Sequence, residues 1–331
     1  MKKLLGFIFL ALMSIILAAC GGSEEAESSS GGEDLEMSNI VISSGPIGGG
    51  WYNTAAGIAE ILMREIPGLN VTVNEGGGYE NIKLVENGDA QIGYAFTNDV
   101  MSGLTGTGVF EEDGKMENVN TFLSLYKSHL QTVTLADSEI DSYADFGDKD
   151  ILPGEASYAT VQHVEKILNY HDISYDSIRE NGGSVSYTGY SDMTGLVKDG
   201  HADVAIGMTA APSGFIMELN AQDDINFVEI EPDVQEYIQE EVPGIVPMEM
   251  PAGTYDGQDE PVDTVGSYTN LVMSSEVPED LAHRITKVIM DNRDELEEVD
   301  SVLSNFNEDT MVEGLEKENL HPGVVKYLDE R

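Results

Sequence analysis

The sequence predicts two α/β lobes of similar size built on mainly parallel sheets, and three observations lead there. Short apolar runs alternate with helix-period segments from residue 39 onward, the order of strand–helix–strand units. That series runs through twice, without evident repeat. With 331 residues, 41% of them apolar, the chain can fill two real cores, which excludes a disulfide-stapled miniprotein and a disordered chain.

The first lobe opens with NIVISS as a strand, then a helix from Trp51 to Arg64 whose Ala55, Ile58, Ala59 and Leu62 share one face. LNVTVNE, a helix from Glu80 to Asn87, the strand AQIGYAF and a glycine-rich loop follow. Two consecutive extended stretches, TFLSLYKS and LQTVTLAD, lead to the second series. It holds the loop ILPGEASYAT, a helix from Tyr158 to Tyr170, the strand VSYTGY, a helix from Asp192, and the strands DVAIGM and INFVEI. A Pro- and Gly-rich irregular stretch from Val242 to Pro261 precedes a strand TVGSYTNLVMSS and a long helix from Pro278 to Glu298.

Ahead of the lobes, Lys2 and Lys3 precede an apolar run from Leu4 to Ala19, too short for a bilayer span and suited to a secretory signal. Leu17-Ala18-Ala19-Cys20 resembles the bacterial lipobox, so residues 1–19 are expected to be removed and Cys20 lipidated, anchoring the chain outside the cytoplasm. Residues 20–37, almost all Gly, Ser and acid, read as a flexible tether. The folded part is expected to start at Ser38.

The net charge of −45 argues against nucleic acid or an anionic lipid surface as partner, leaving the lipid as the membrane link. Removal of residues 1–19 leaves 14 basic against 61 acidic residues, a surface suited to a salty or alkaline surrounding. One cysteine excludes an internal disulfide and cysteine-held metals. There is no nucleophile elbow, Walker loop or zinc-protease motif, and His129, His163, His171, His201 and His283 are scattered. No catalytic residue, cofactor or metal is expected.

Four small-residue loops stand at strand-to-helix junctions: Gly45–Thr54, Glu75–Asn81, Thr97–Asp99 and Pro153–Thr160. Open α/β sheets bind ligands at the carboxyl ends of strands, and backbone N–H groups at helix starts favour a carboxylate. Gly49, Gly50 and Ala156 are therefore candidates for backbone contact. Tyr52, Asn81, Thr97, Asn98, Ser157 and Tyr190 are candidate side-chain donors or acceptors, and Trp51 a wall. Tyr158, Thr209 and the acids Asp99 and Glu155 complete the set; if those two acids point inward, the solute would instead be a cationic or zwitterionic amine. Lys83 and Lys127 are the basic residues near these loops.

At GGGWYN, GGGYENIKLVENGDAQIGYA, PGEASYAT, Gly253-Thr254-Tyr255 with Gly257-Gln258-Asp259, and His321-Pro322-Gly323, the chain resembles the solute receptors of TRAP transporters, TAXI subgroup, over residues 38 to 331. The resemblance implies a two-lobed periplasmic-binding-protein-like fold of type II, the ligand in the cleft between lobes and a TRAP membrane permease as partner. Residues 38–128 with 264–331 would form lobe 1 and 129–263 lobe 2. Two departures touch the site: Gly50 and Trp51 replace the usual Thr and Tyr, and Glu155 stands where a small hydroxyl is usual. The expected activity is capture of a small organic anion, glutamate or a 2-oxo acid. The alternatives are a receptor of an ABC importer, or a secreted enzyme on this scaffold betrayed by a buried cleft acid of shifted pKa.

Overall fold

The computed structural model describes residues 35–331 apart from 46, 48 and 157. The signal segment, Cys20, most of the tether and Ser157 lie outside the described residues.

In chain order, β1 (Asn39–Ser43), α1 (Gly50–Glu65), β2 (Asn70–Asn74), α2 (Gly78–Glu86), β3 (Ile92–Phe96) and α3 (Thr97–Thr105) form the first series. β4 (Val119–Leu135) leads to β5 (Asp150–Leu152), α4 (Ala159–Tyr170), α5 (Tyr175–Glu180), β6 (Ser184–Val185), α6 (Tyr190–Lys198), β7 (Val204–Thr209), α7 (Gly214–Asn220), β8 (Ile225–Phe227), α8 (Pro232–Glu241) and β9 (Val246–Met250). β10 (Val262–Ser274) returns to the first lobe, ending in α9 (Glu279–Asp291), α10 (Arg293–Val299) and α11 (Pro322–Asp329).

The strand order is β2-β1-β3-β10-β4-β7-β5-β6, with β8 on β4 and β9 on β10. β1, β2 and β3 are mutually parallel, β10 is antiparallel to both β3 and β4, and β4 is antiparallel to β7. β3 therefore points the same way as β4, toward the second lobe. β7, with β5 and β6 parallel to it, points back. The carboxyl ends of the parallel strands of both lobes thus face each other across the two long strands that join them. This is the expected two-lobed α/β architecture of type II.

Strand periodicity explains why each sheet is covered on both faces. In β1, Ile40 and Ile42 enter one core with Ile58 and Leu62 of α1, and Val41 meets the other, built around Ile82, Val85 and Phe110. β7 divides likewise: Val204 and Ile206 face one core of the second lobe and Ala205 the other.

Six expectations need correction. TFLSLYKS and LQTVTLAD are one 17-residue strand, β4, because no turn residue interrupts them. The loop expected after AQIGYAF begins instead as helix α3 at Thr97, and the glycine turn follows at Gly106, in the left-handed region at φ 68°. VSYTGY contributes only Ser184–Val185 to the sheet, since Tyr190 opens α6. The stretch Val242–Pro261 contains β9, and the long helix breaks at Asn292. The folded body starts by Leu35 rather than Ser38, since Leu35 and Met37 pack against the core of the first lobe.

Candidate functional site

Six helices begin at strand ends where the lobes face each other: α1, α2 and α3 in the first, α4, α6 and α7 in the second. None has a side-chain cap on its first turn. Away from that surface, Ser174 caps α5 and His321 caps α11, whereas α8, α9 and α10 are uncapped as well. An uncapped helix start leaves N–H groups without a partner and carries partial positive charge.

In the first lobe, the Trp51 ring lies 5.0 Å from Phe96 and 5.7 Å from Tyr94, and its Nε1 donates to Thr269 Oγ1 at 3.3 Å. Ser128 Oγ stands 3.0 Å from the same hydroxyl. Gly49, Gly50 and Tyr52 accompany Trp51 at the start of α1. The next group is buried: Thr97 Oγ1 accepts from Asn270 Nδ2 at 2.7 Å, and Asn98 Nδ2 donates to Asp99 Oδ1 at 2.8 Å. Asp99 is 6% exposed, and among the described residues no Lys or Arg pairs with it. Burial pushes its carboxyl up to about 7, only partly offset by hydrogen bonds from the backbone at Phe96 and from Asn98.

In the second lobe, the Tyr158 and Tyr190 rings lie 5.3 Å apart, tilted at 48°, and Tyr190 stacks on Phe215 at 5.2 Å. Glu155 and Ala156 are exposed. Burial and the nearby Glu155 carboxylate push the Tyr158 hydroxyl up to about 12. The lobes meet at Asn98: its Nδ2 is 3.4 Å from Nε2 of His163 on α4. The His163 pKa is lowered to about 4 by burial and then by Lys166.

Three site expectations change. Asn81 is no ligand donor, because its Nδ2 donates to the carbonyls of Ser44 and Tyr94 at 2.7 and 2.8 Å while Oδ1 accepts from Ser43. It fastens β1 to β3. The Thr209 hydroxyl accepts from Gln131 Nε2 at 2.8 Å, within a network in which Tyr255 OH bonds Gln131 and accepts from the Ser213 N–H. The Gly253-Thr254-Tyr255 stretch therefore fastens β4 to the start of α7. Neither lysine joins the site: Lys83 pairs with Asp113 and Lys127 with Glu313 at the surface. A cavity of about 220 Å³ on the joining strands, lined by Lys127, His129, Met248, Glu249 and Tyr268 among others, includes no expected site residue.

Sequence reading missed Ser128, His163, Thr269 and Asn270. They lie in strands or inside a helix, and the available signal was polarity within otherwise apolar runs.

The sequence model of the NMT1-like family matches residues 42–331. The chain belongs to the NMT1-like family. Solved structures similar to it include a putative L-cystine ABC transporter from Listeria monocytogenes (11% identity, 83% of this chain and 98% of that one, TM-score 0.47). The periplasmic aliphatic sulphonate binding protein of Escherichia coli shares 11% identity over 89% of this chain and 84% of its own, at TM-score 0.47. A mutant of the arginine-binding protein of T. maritima shares 12% over 81% and 95%, at 0.45. The match to the NMT1-like family does not single out the TAXI subgroup.

Proposed function

We propose that the chain is an extracytoplasmic solute-binding protein, held at the membrane through Cys20, that closes its two lobes on a small carboxylate-bearing solute and presents it to a membrane importer. The observation that carries this reading is the set of uncapped helix starts drawn from both lobes onto facing strand ends. Each favours a carboxylate by about 0.3–1 kcal/mol when exposed and up to about 2 when partly buried. Only a closed pair of lobes brings both half-sites to one ligand.

For the importer, the ATP-driven class is the one named among the similar structures, and the ion-coupled TRAP class rests on the resemblance of the Gly253–Asp259 stretch alone. Uptake of labelled solute by host cells separates them: loss on ATP depletion with the ion gradient kept marks the first, loss on gradient collapse with ATP kept marks the second. Uptake unchanged on deletion of the chain refutes the receptor role.

Asp99 gives a second reading its one supporting observation, since a buried cleft acid near pH 7 is what an enzyme on this scaffold would carry. Its side-chain neighbour is the amide of Asn98, with the weakly basic His163 beyond it, so among the described residues no second acid or base stands beside the carboxyl. Proton NMR of bound solute in deuterated buffer decides: an unchanged spectrum supports the receptor, and proton exchange or product signals support an enzyme.

A further inference from the structure

The two lobes touch each other through the chain itself. Gly244 lies in the turn between α8 and β9, flanked by Val242 and Ile245 of the second lobe's core, in the left-handed region at φ 91°. A Cβ there would stand 2.7 Å from the backbone nitrogen of Asn98, 2.8 Å from its Cα and 3.0 Å from the carbonyl carbon of Thr97. Only glycine lets this turn lie on the start of α3, which belongs to the first lobe. Beside it, His163 Nε2 of the second lobe faces Asn98 Nδ2, and Phe96 of β3 packs against the second lobe's core. Both halves of the contact are tied to β10: Ser267 Oγ donates to the Gly244 carbonyl at 3.1 Å, and Asn270 holds Thr97. Between those ties the ladder from β10 to β4 shifts register, at the Thr269–Asn270 step, and such an irregularity bends a strand. Three buried polar atoms without partners among the described residues, Asn98 Oδ1, His163 Nδ1 and Asn270 Oδ1, border the same contact. A permanent core satisfies such groups, whereas a contact that parts admits water to them.

We propose that Gly244 and His163 form a latch against Asn98 that is made when the lobes close and broken when they part, with β10 bending at the Thr269–Asn270 step. This rests on the solute-receptor reading and adds to it: contacts of the chain with itself set part of the affinity for solute. The solute draws the lobes together, and the latch lowers the free energy of the closed state alone. A weakened latch therefore raises the dissociation constants of all solutes by one factor, because the closed fraction falls equally for each. The open encounter complex lacks the latch, so the loss falls on release rather than capture.

The test is calorimetry of the full chain with pyruvate, succinate, 2-oxoglutarate and L-glutamate, with release followed by stopped-flow fluorescence of Trp51. Gly244→Ala sets a methyl against Asn98 and should weaken every compound that binds the wild type by a common factor of about 10, through faster release. Circular dichroism verifies that this variant folds. His163→Leu removes the ring nitrogen facing Asn98 and should act in the same direction, while the solute-free variant resists urea as well as the wild type. A contact permanently built into the fold would instead lower the urea midpoint. Scattering from Gly244→Ala saturated with solute should give a larger radius of gyration than the saturated wild type. Unchanged affinity in both variants, a factor that differs from solute to solute, or a solute-free His163→Leu protein destabilised in urea overturns the latch and leaves the receptor standing. If none of the compounds binds the wild type, the carboxylate-receptor reading falls and the latch with it.

Discussion

Replacing Asp99 by Asn should make the solute-free protein more stable, and increasingly so as pH rises. The carboxyl has a reference pKa of 3.8 and stands at about 7 in the folded chain. Because the folded value is raised, the protonated acid favours the native state, and stability is lost as pH climbs from the lower value through the higher one. At about 1.4 kcal/mol per pKa unit, ionised Asp99 costs the fold about 4 kcal/mol at pH 8 and under about 1 at pH 4. An asparagine keeps the acceptor for Asn98 and carries no charge, so its advantage should grow by about 3–4 kcal/mol between those pH values. Urea unfolding of both proteins from pH 4 to pH 9, followed by circular dichroism, measures the difference. Trp51 is the chain's single tryptophan and, like the Asp99 carboxyl, lies against Gly78, so its fluorescence should titrate near pH 7 in the wild type alone. A stability difference that does not change with pH, together with a flat fluorescence profile, would refute the buried uncompensated acid.

Asn81→Ala should destabilise by about 2–4 kcal/mol in urea, because it strands two buried carbonyls and the Ser43 hydroxyl, while leaving the choice among solutes unaltered. Cys20→Ser should abolish incorporation of labelled fatty acid in the host and release the chain into the medium; retained label would contradict the anchor. The melting temperature should rise from low to molar salt, since the acidic coat repels itself less when screened, and a flat curve would set aside a surface adapted to salt.

The strands were legible because they alternate cleanly with amphipathic segments, and the strand-to-helix loops because glycine marks them. The joining strand β4 was not recognised as continuous: polar Ser124, Lys127, Ser128 and His129 interrupt its apolar pattern where it passes between the lobes. Those polar positions are where Ser128 meets Thr269, so the feature that hid the strand also serves the site. Asn81 and Thr209 looked like ligand contacts because an amide or hydroxyl near a loop gives no sign of whether its partners lie inside the lobe. For Asp99 the residue type was plain in the sequence, but its burial, its missing counter-ion and the clearance left by Gly78 exist only in three dimensions. His163 lies one turn into the helix that the Pro153–Thr160 loop opens, and the meeting of the lobes is what brings it to Asn98.

Small-angle scattering of the full chain, alone and saturated with a carboxylate solute that it binds, tests closure of the two lobes on a solute most directly. The radius of gyration should fall on binding in the wild type, with no change in molecular mass. A wild-type profile identical with and without bound solute would contradict a receptor that works by closing its lobes.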